Sequence, residues 1–539
     1  MPRMHPAYPA CFLVLLAAGC SGPSSASSSS ADLTAGSPTG DAKGASCASL
    51  LDGNGAVSQW VYRDHTTGKL AYKTLPSGDR IVDFSYAGYM AGGVALPTVP
   101  QKAIVHPSGG DDTAAIQAAI DHVSTLPLAN GARGAVVLAP GTYELNGSLT
   151  LAASGVVLRG AGSGAGGTKL TITGTPRKIF TIAGSGKAQK SATHATITDA
   201  YVPSGARTFH VDNPNALAVG DTVFVGRQVT AAWVAFMGMD KLVRNGNPQT
   251  WLSPGAVIQA DRVITAIQGK QVTIDVPISD ALDAKYAAAP GATVTPYSFP
   301  GRISQVGLEG IHVVAPGMVG PISQASFELL DLDAIIDSWI RDVAAEGFLN
   351  GLSIGGGAKR ITLTRTSFLH TAAIDGSSGY PADFGVDGEQ ILFDRCGSTG
   401  NHVFSVVTQA TEQGPNVVLN MAAKGTPTNL SPHQRWATGL LVDGLQSPTG
   451  GVELMNRASA GSGQGWAIGF GVVWNANVAS TLIEQPPGAE NWSIGSTGTE
   501  QKGTTGAIDS PGVHVTPGSL YLAQLCDRLG PAAVAAAGY

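Results

Sequence analysis

The sequence predicts an all-β solenoid in which short parallel strands stack coil upon coil. The chain of 539 residues contains 71 Gly and 32 Pro but only 13% charged residues, a composition typical of short strands joined by tight turns. From residue 303 onward, apolar strand cores recur roughly 20 to 33 residues apart, which is the spacing of solenoid coils. An amphipathic helix precedes the first of the predicted solenoid strands, where it can close the open end of the stack.

The helix and the strand after it are predicted from capping residues and hydrophobic periodicity. Asp111, Asp112 and Thr113 can cap the N-terminus of the helix, where carboxylates also interact favourably with the helix dipole. A strand is predicted at residues 136–138, and a Pro-Gly turn follows it. The apolar residues that recur on one face of the helix are Ala115, Ile116, Ala119, Ile120 and Val123.

Together, residues 110–145 resemble the N-terminal capping helix and first coil of pectate-lyase-like proteins. The resemblance implies a right-handed parallel β-helix and a polysaccharide partner, because this fold mostly handles polysaccharides. Trimers are known in this fold, and the sequence leaves the oligomeric state open. A β-propeller, the alternative all-β repeat fold, would need four-stranded blades with a recurring signature, and the sequence shows neither.

The N-terminus is predicted to be a targeting segment. Arg3 precedes an apolar run at residues 11–18 that is too short to span a bilayer. The run ends at Cys20 in a sequence that resembles a bacterial lipobox, which implies lipidation of Cys20 and a signal peptide over residues 1–20. The expected location is the bacterial cell envelope, and the only expected contact with the membrane is through a lipid anchor on the protein. An ordinary secretory signal, and hence a secreted protein, is the alternative.

The rest of the chain divides into a linker and four predicted regions. Residues 21–45 are rich in Ser and Gly and predict a flexible linker. The regions are an N-terminal cap with the first coils (46–206), a small β-rich insertion (207–300), the main coils with the site (301–500), and a tail with a helix at 519–525 (501–539). The strand cores of the main coils are predicted at residues 311–313, 340–343, 361–363, 391–393, 417–419, 440–442 and 472–474.

An apolar and aromatic group in the insertion has two interpretations. It can form the insertion's own small core, or it can line one wall of a sugar cleft. The group consists of Trp233, Phe236, Met237, Met239 and Trp251.

The cysteine count and the net charge limit the classes of function that the protein can have. Beyond the targeting segment only Cys47, Cys396 and Cys526 remain, and an odd count argues against a disulfide framework. A bond between Cys47 and Cys526 would join the two ends of the domain, and the cysteine spacing matches no zinc motif. The net charge is −6 and no basic run is present, so no nucleic-acid partner is expected.

The candidate site lies between residues 369 and 492, where polar and aromatic residues recur coil after coil. In a solenoid, residues one coil apart stack about 4.8 Å from each other, so side chains distant in sequence can form one ladder. His433 and Arg435, two residues apart, would point to the same face of a strand. The catalytic candidates are Asp375, Asp383, Asp387, His402, His433 and Arg435, and the substrate-binding candidates are Tyr380, Trp436, Asn456, Arg457, Trp466 and Asn475.

The slightly favoured function is a lyase that cleaves a uronic-acid-containing polysaccharide by β-elimination. His433 or His402 would serve as the base near neutral pH. Arg435 or Arg457 would neutralise the uronate carboxylate and stabilise the enolate-like transition state. A Ca²⁺ ion can also neutralise the carboxylate and stabilise the transition state, as in some related lyases. Its candidate ligands are Asp375, Asp383 and Asp387.

Two alternatives remain open. The same three aspartates can supply the two carboxyl groups that a glycoside hydrolase needs, or they can be ordinary turn residues beside Gly and Ser. The sequence lacks an obvious match both to the Asn-x-Asp and paired-Asp motifs of polygalacturonase-like enzymes and to the Arg-centred motif of pectate lyases. The second alternative is a non-catalytic glycan-binding surface protein.

Overall fold

The fold is a stack of coils made of short strands. Apolar side chains alternate along these strands and are buried when the coils stack. The computed structural model describes residues 46–539 except 374, 377 and 378, and it is a right-handed parallel β-helix, as predicted. The predicted signal peptide, Cys20 and the linker lie outside the described residues. No helix in the described part of the chain is both long and apolar enough to cross a membrane.

The coils present three faces, which we call A, B and C. Strands of faces A and B belong to one sheet of 22 strands, and face C is a sheet of seven. Face A consists of Gln101–Val105, Gly134–Leu138, Val156–Arg159, Ile303–Ser304, Gly307–Val314, Ile335–Glu346, Ala358–Thr364, Leu392–Asp394, Gln413–Leu419, Ala437–Asp443, Ile468–Gly469, Val472–Trp474, Trp492–Ile494 and Ala507–Asp509. Two of these strands, Gly307–Val314 and Ile335–Glu346, continue into face B.

Face B follows face A along each coil, and face C completes the coil. The strands of face B are Gly141–Leu145, Thr168–Ile172, Ser367–Leu369, Gly397–Thr399, Ala422–Lys424, Gln446–Leu454, Asn477–Ile483 and Thr497–Glu500. The strands of face C are Leu149–Leu151, Lys178–Ala183, Glu328–Asp333, Asn350–Ile354, Ala382–Val386, Val403–Thr408 and Thr428–Asn429.

Aliphatic and aromatic side chains from successive coils form continuous ladders inside the solenoid. One ladder on face A pairs in register through nine strands, and every member is at most 1% exposed. All seven predicted strand cores of the main coils coincide with strands of the 22-stranded sheet or lie within one residue of them. The members of the ladder are Val136, Leu158, Leu308, Ile340, Leu363, Phe393, Val418, Val442 and Val473.

The predicted capping helix is present at Thr113–Ser124 and closes the N-terminal end of this core. It buries Ile116, Ile120 and Val123, as the periodicity predicts. Asp112 occupies the N-cap position, but its carboxylate accepts a hydrogen bond from the backbone N–H of Ser108 instead of capping the helix.

The insertion interrupts the solenoid between Lys178–Ala183 and Ile303–Ser304, so it begins before the predicted residue 207. Its strands pair antiparallel and enclose a separate small core. They are Gln189–Lys190, Ala195–Thr196, Thr208–His210, Thr222–Gln228, Val257–Gln268, Gln271–Ile274 and Thr293–Ser298, with small ribbons Tyr201–Val202/Leu282–Asp283 and Val243–Arg244/Asn247–Pro248.

A short helix, Ala231–Phe236, attaches the insertion to the late coils. Trp233 stacks on Trp251 with ring centroids 5.0 Å apart, and both rings meet Trp436 of the solenoid edge-on. The predicted aromatic group of the insertion is therefore mostly a shared core between the insertion and the solenoid. Phe236 is the exception, because it is 40% exposed.

The two ends of the described chain pack together. The predicted C-terminal helix is present at Leu520–Leu529, and a disulfide joins Cys526 to Cys47 with their Cα atoms 5.7 Å apart. Cys396 is buried and is not in a disulfide. The other elements of this region are the helices Cys47–Leu51 and Pro531–Ala536, the pairs Ala56–Val57/Val515–Thr516 and Val61–Arg63/Leu70–Tyr72, and the 3₁₀ turn Tyr89–Ala91; two further 3₁₀ turns, Pro214–Ala216 and Ala284–Tyr286, lie in the insertion.

The disulfide closes a loop of 479 residues, so its removal should lower stability substantially. We expect Cys47→Ser to reduce the free energy of unfolding by about 2–5 kcal/mol, measured by denaturant titration. Reductant should destabilise the wild-type chain by a similar amount and leave the variant unchanged. Identical unfolding curves for the wild type with and without reductant would contradict this prediction.

Candidate active site

A cleft of about 550 Å³ opens where the C-terminal ends of the face C strands meet the insertion. We call it the carboxylate cleft, because four acidic residues of the solenoid line it. These are Asp333, Asp387, Glu389 and Glu412, and the insertion side contributes Lys190, Phe224, Gln259, Asp261, Tyr297 and Arg302.

Strand register brings two of the carboxylates to equivalent positions. Leu332, Ile354 and Val386 pair in register on face C, and the residues that follow them are Asp333, Gly355 and Asp387. The ladder continues through these residues, because the N–H of Gly355 donates to Leu332 and that of Asp387 donates to Ile354. Asp333 and Asp387 therefore lie two coils apart, with a coil that carries glycine between them.

The glycines of the intervening coil keep the space between the carboxylates open. A Cβ at Gly355 would lie 2.8 Å from the Asp333 carboxyl carbon, and one at Gly356 would lie 3.1 Å from an Asp387 carboxyl oxygen. Gly357 donates its N–H to Asp333 at 2.9 Å and thereby fixes the orientation of that carboxylate.

Asp387 is the carboxyl group whose environment most resembles that of a catalytic acid. Burial, together with the nearby charge of Asp333, raises the pKa of Asp387 to about 6. Among the described residues, none donates a hydrogen bond to this carboxyl, and its side chain is only partly buried. Asp387 is therefore half-protonated near pH 6 and is accessible from the cleft.

A buried network of charges fixes the insertion against the cleft. Arg262, whose side chain is fully buried, donates to Glu389 at 2.5 Å, and the backbone N–H of Asp261 donates to the same carboxylate at 2.9 Å. Lys359 donates to the Asp261 carboxylate at 2.8 Å, and Arg302 donates to it at 3.1 Å. Each buried charge in this network thus has a charged partner.

The two acids of this network, Glu389 and Asp261, have pKa values shifted in opposite directions. Burial raises the pKa of Glu389 even though Arg262 acts against the shift. Burial also opposes ionisation of Asp261, but Lys359 and Arg302 outweigh it and lower the pKa of Asp261.

Glu412 is buried and belongs to the next coil of the solenoid, after the strand Val403–Thr408. Burial raises its pKa well above the usual range, and the side-chain amide of Asn416 donates to one of its oxygens. Its other oxygen has no hydrogen-bond partner within the described part of the chain. Burial therefore favours the neutral form of the Glu412 carboxyl.

Aromatic rings form the opposite wall of the carboxylate cleft. Phe224 and Tyr297 stack with centroids 4.2 Å apart, and the Tyr297 hydroxyl donates to Asp261 at 2.6 Å. The Lys190 ammonium lies 5.3 Å from the Phe224 ring centroid and donates to Gln259 at 2.6 Å. This wall presents ring surface with hydrogen-bonding groups at its edge.

Of the three aspartates predicted to act together, only Asp387 lines the carboxylate cleft. Asp383 is fully buried where faces B and C meet, and it pairs with His370 at 2.7 Å and with Ser398 at 2.5 Å. Asp375 lies in the loop that contains the undescribed positions. The described residues contain no group of three His, Cys, Asp or Glu side chains that could hold a metal.

The predicted residues His402 and Tyr380 lie at the opposite, N-terminal ends of the face C strands. Their rings stack with centroids 4.9 Å apart, and His402 is exposed. Phe404 on the same coil lies beside Tyr380, and the Arg457 guanidinium lies 5.7 Å from the Phe404 ring centroid. These residues form a surface patch that is separate from the carboxylate cleft.

His433 lies near both Arg435 and Arg457, but it is not on a strand. Arg435 and Trp436 both have positive φ, so residues 433–436 form an irregular turn rather than a face with a two-residue repeat. Burial, followed by the charges of Arg457 and Arg435, lowers the pKa of His433 to about 4. Gln464 contacts His433 at 2.9 Å and accepts a hydrogen bond from Arg457.

Four predicted substrate-binding residues make structural contacts. Trp436 is 2% exposed and donates to the buried Asp280, and Trp466 is 9% exposed and donates to the Met237 carbonyl of the insertion. Asn475 is buried and fixes the backbone at Val515, which excludes it from a binding surface. Asn456 caps a turn through Ala458.

The sequence does not single out Asp333, Glu389 or Glu412. Asp333 ends a face C strand, and Glu389 and Glu412 lie three and four residues after one, but these strands contain Gly, Ser and Asp and show no obvious apolar repeat. The detectable signal is the position after the last paired core residue, which recurs as Asp333, Gly355 and Asp387 once the strands are aligned.

Comparisons with known proteins yield fold neighbours only. No protein-family model matches the chain, and no curated protein matches its sequence. Among solved structures, the tailspike protein gp49 of Pseudomonas phage LKA1 is 14% identical, with TM-score 0.37 over 74% of this chain and 70% of that one. A mutant tailspike protein of E. coli bacteriophage HK620, in complex with a pentasaccharide, is 12% identical, with TM-score 0.40 over 84% of this chain. The match spans 63% of that tailspike, slightly less than two thirds of its length.

Proposed function

We propose that this protein is a polysaccharide-degrading enzyme that hydrolyses glycosidic bonds in the carboxylate cleft. The observation that carries the proposal is the aligned pair Asp333 and Asp387, in which Asp387 has a pKa of about 6. Glycoside hydrolases need two carboxyl groups that flank the bond, one of them protonated at the working pH.

In this mechanism Asp387 is the general acid and Asp333 the general base. Asp387 donates its proton to the glycosidic oxygen as the bond from that oxygen to the anomeric carbon breaks. Asp333 accepts a proton from a water molecule whose oxygen bonds to the anomeric carbon from the opposite side. Two coils separate the two backbone positions by roughly 9 to 10 Å. An inverting mechanism of this kind needs room for the water between the substrate and the base.

The other residues of the cleft would bind and orient the sugar. The Phe224–Tyr297 wall offers ring surface for the apolar face of a pyranose, and Lys190 with Gln259 offers polar contacts at its edge. Because the described acidic residues do not form a metal site, no step is assigned to Ca²⁺.

A lyase acting on a uronic-acid polysaccharide is the second candidate. It is favoured by one observation, the lowered pKa of His433 between Arg457 and Arg435. A neutral imidazole can abstract the C5 proton at neutral pH, and the guanidinium groups can neutralise the uronate carboxylate. Both arginines, however, already bond to neighbouring polar groups, Arg457 to Ser431 and Arg435 to Ser462.

We further propose that the protein works outside the cytoplasm, either anchored through a lipidated Cys20 or secreted. The lipobox-like sequence supports the anchored form. The disulfide between Cys47 and Cys526 supports either form, because such bonds persist in oxidising compartments.

Substitution of either proposed catalytic carboxylate should abolish most of the activity. We expect Asp387→Asn and Asp333→Asn each to lower kcat by about 10²- to 10⁴-fold, because each removes one proton-transfer step. The assay follows new reducing ends across a panel of bacterial and plant polysaccharides. Asp331→Asn is the matched control, since Asp331 precedes Asp333 by two residues and pairs with Lys178. Near-normal activity in Asp387→Asn would refute the assigned role.

The activity should fall on the alkaline side of about pH 6. Asp387 must be protonated to act, and its pKa of about 6 means that the protonated fraction falls tenfold per pH unit above that value. The check is a profile of kcat/KM against pH, with Asp331→Asn as a variant that should keep the same alkaline limb. A profile that stays flat up to pH 8 would exclude Asp387 as the acid.

The type of product distinguishes the two candidate reactions. Hydrolysis should give new reducing ends without the ultraviolet absorbance of unsaturated uronyl products, and His433→Ala should remain active. Absorbing products that disappear in His433→Ala would establish the lyase instead. If no polysaccharide in the panel is cleaved, the non-catalytic glycan-binding alternative gains support.

A further inference from the structure

A second cavity, of about 440 Å³, lies on the other side of the insertion. Its walls come from the insertion, from residues 75–79 and from the late coils, and it shares no lining residue with the carboxylate cleft. We call it the aromatic pocket, and the residues that define it here are Asp79, Arg227, Phe236, Asp280, Tyr286 and Gln485.

We propose that the aromatic pocket is a separate binding site for a neutral pyranose sugar. Its volume lies within the range of small-molecule sites, about 300–1,000 Å³. Binding there does not depend on catalysis in the carboxylate cleft, so the inference goes beyond the proposed function.

The mouth of the pocket carries a stacked aromatic pair. Phe236 and Tyr286 lie with centroids 4.5 Å apart and ring planes at 22°, and Phe236 is 40% exposed. Gly488 lies against the Phe236 ring, where a Cβ would come within 3.1 Å of a ring carbon, so the glycine allows this close packing. An exposed ring at a concave mouth suits the C–H face of a pyranose.

The base of the pocket is polar but already paired. Arg227 donates to Asp280 at 2.9 Å, the Trp436 indole donates to the same carboxylate at 3.2 Å, and the guanidinium lies 4.1 Å from the Trp233 ring centroid. Asp79 accepts from Tyr201 at 2.6 Å. These fixed contacts give the pocket a preformed shape.

The balance of charge in the pocket selects for neutral sugars. Arg227 is its only cationic lining residue among those described, and it is committed to Asp280. Asp79 and Asp283 add two further carboxyl groups, so the lining carries three carboxyl groups against one guanidinium, and an anionic sugar would meet mainly acidic groups. Hydroxyl groups, by contrast, can donate to Asp283 and to the Gln485 side chain at the rim.

The proposal is tested by measuring equilibrium binding of sugars to the full chain that carries Asp387→Asn. This variant is used because it should not hydrolyse the sugars during the measurement. The probes are glucose, galactose, mannose and N-acetylglucosamine with their disaccharides, and glucuronic acid as the anionic comparison. Saturation-transfer NMR and tryptophan fluorescence report binding, since Trp233 and Trp436 line the pocket. We expect at least one neutral sugar to bind with a change in fluorescence, and glucuronic acid to bind at least tenfold more weakly.

Matched aromatic variants locate the bound sugar. Phe236→Ala in the same background should weaken binding by roughly 3- to 10-fold or more. Phe224→Ala, which removes the equivalent ring of the carboxylate cleft, should leave the affinity measured by tryptophan fluorescence unchanged, because no tryptophan lines that cleft. Thermal unfolding checks that both variants fold, and Gln485→Ala at the exposed rim provides a second, milder weakening variant.

Three outcomes would overturn the proposal. One is the absence of binding by every neutral probe, and another is equal binding of glucuronic acid. The third is loss of binding in Phe224→Ala with full binding in Phe236→Ala, which would place the sugar in the carboxylate cleft. None of these results depends on whether the carboxylate cleft is catalytic, since activity assays test that separately.

Discussion

The in-register stacking of the coils is the constraint on which the rest of the structure depends. On face C, Leu332, Ile354 and Val386 fill the core at equivalent positions, and this fixes Asp333 and Asp387 at the rim two coils apart. A shift of one residue in any of these strands would turn its apolar side chains outward, so the hydrophobic core itself enforces the alignment of the carboxylates. The proposed catalytic geometry is thus a by-product of core packing.

The insertion turns this aligned surface into a cleft, and buried charges attach it there. Loss of one partner of a buried ion pair such as Arg262–Glu389 generally costs about 3–5 kcal/mol, because the other charge is left without compensation. The interlocking tryptophans Trp233, Trp251 and Trp436 attach the insertion at a second point. Two separate anchors make the insertion a fixed wall for the carboxylate cleft on one side and for the aromatic pocket on the other.

The sequence was sufficient to predict the solenoid and the strand cores of face A, because those strands are continuous apolar runs. Face C was not visible, since strands such as Ala382–Val386 mix Asp and Gly with apolar residues. For the same reason Asp387 was found only as part of a local cluster, and Asp333 was not found. Trp436 and Trp466 were predicted to contact sugar. In the structure they are covered by the insertion, whose residues lie about 200 positions earlier in the sequence. Such long-range packing leaves no periodic signal in the sequence.

Asp383 and Asp387 belong to the same coil and differ only in where the fold places them. Asp383 is fully buried, and its carboxylate is saturated by His370 and Ser398, so it stabilises the corner between two faces. Asp387 follows the end of the strand and lines the carboxylate cleft, and no described residue donates a hydrogen bond to its carboxyl. Burial is the largest cause of its raised pKa, and the charge of Asp333 two coils away adds to the shift. A displacement of four residues along one coil thus separates a carboxylate that stabilises the core from a carboxyl group that can act as an acid in the cleft.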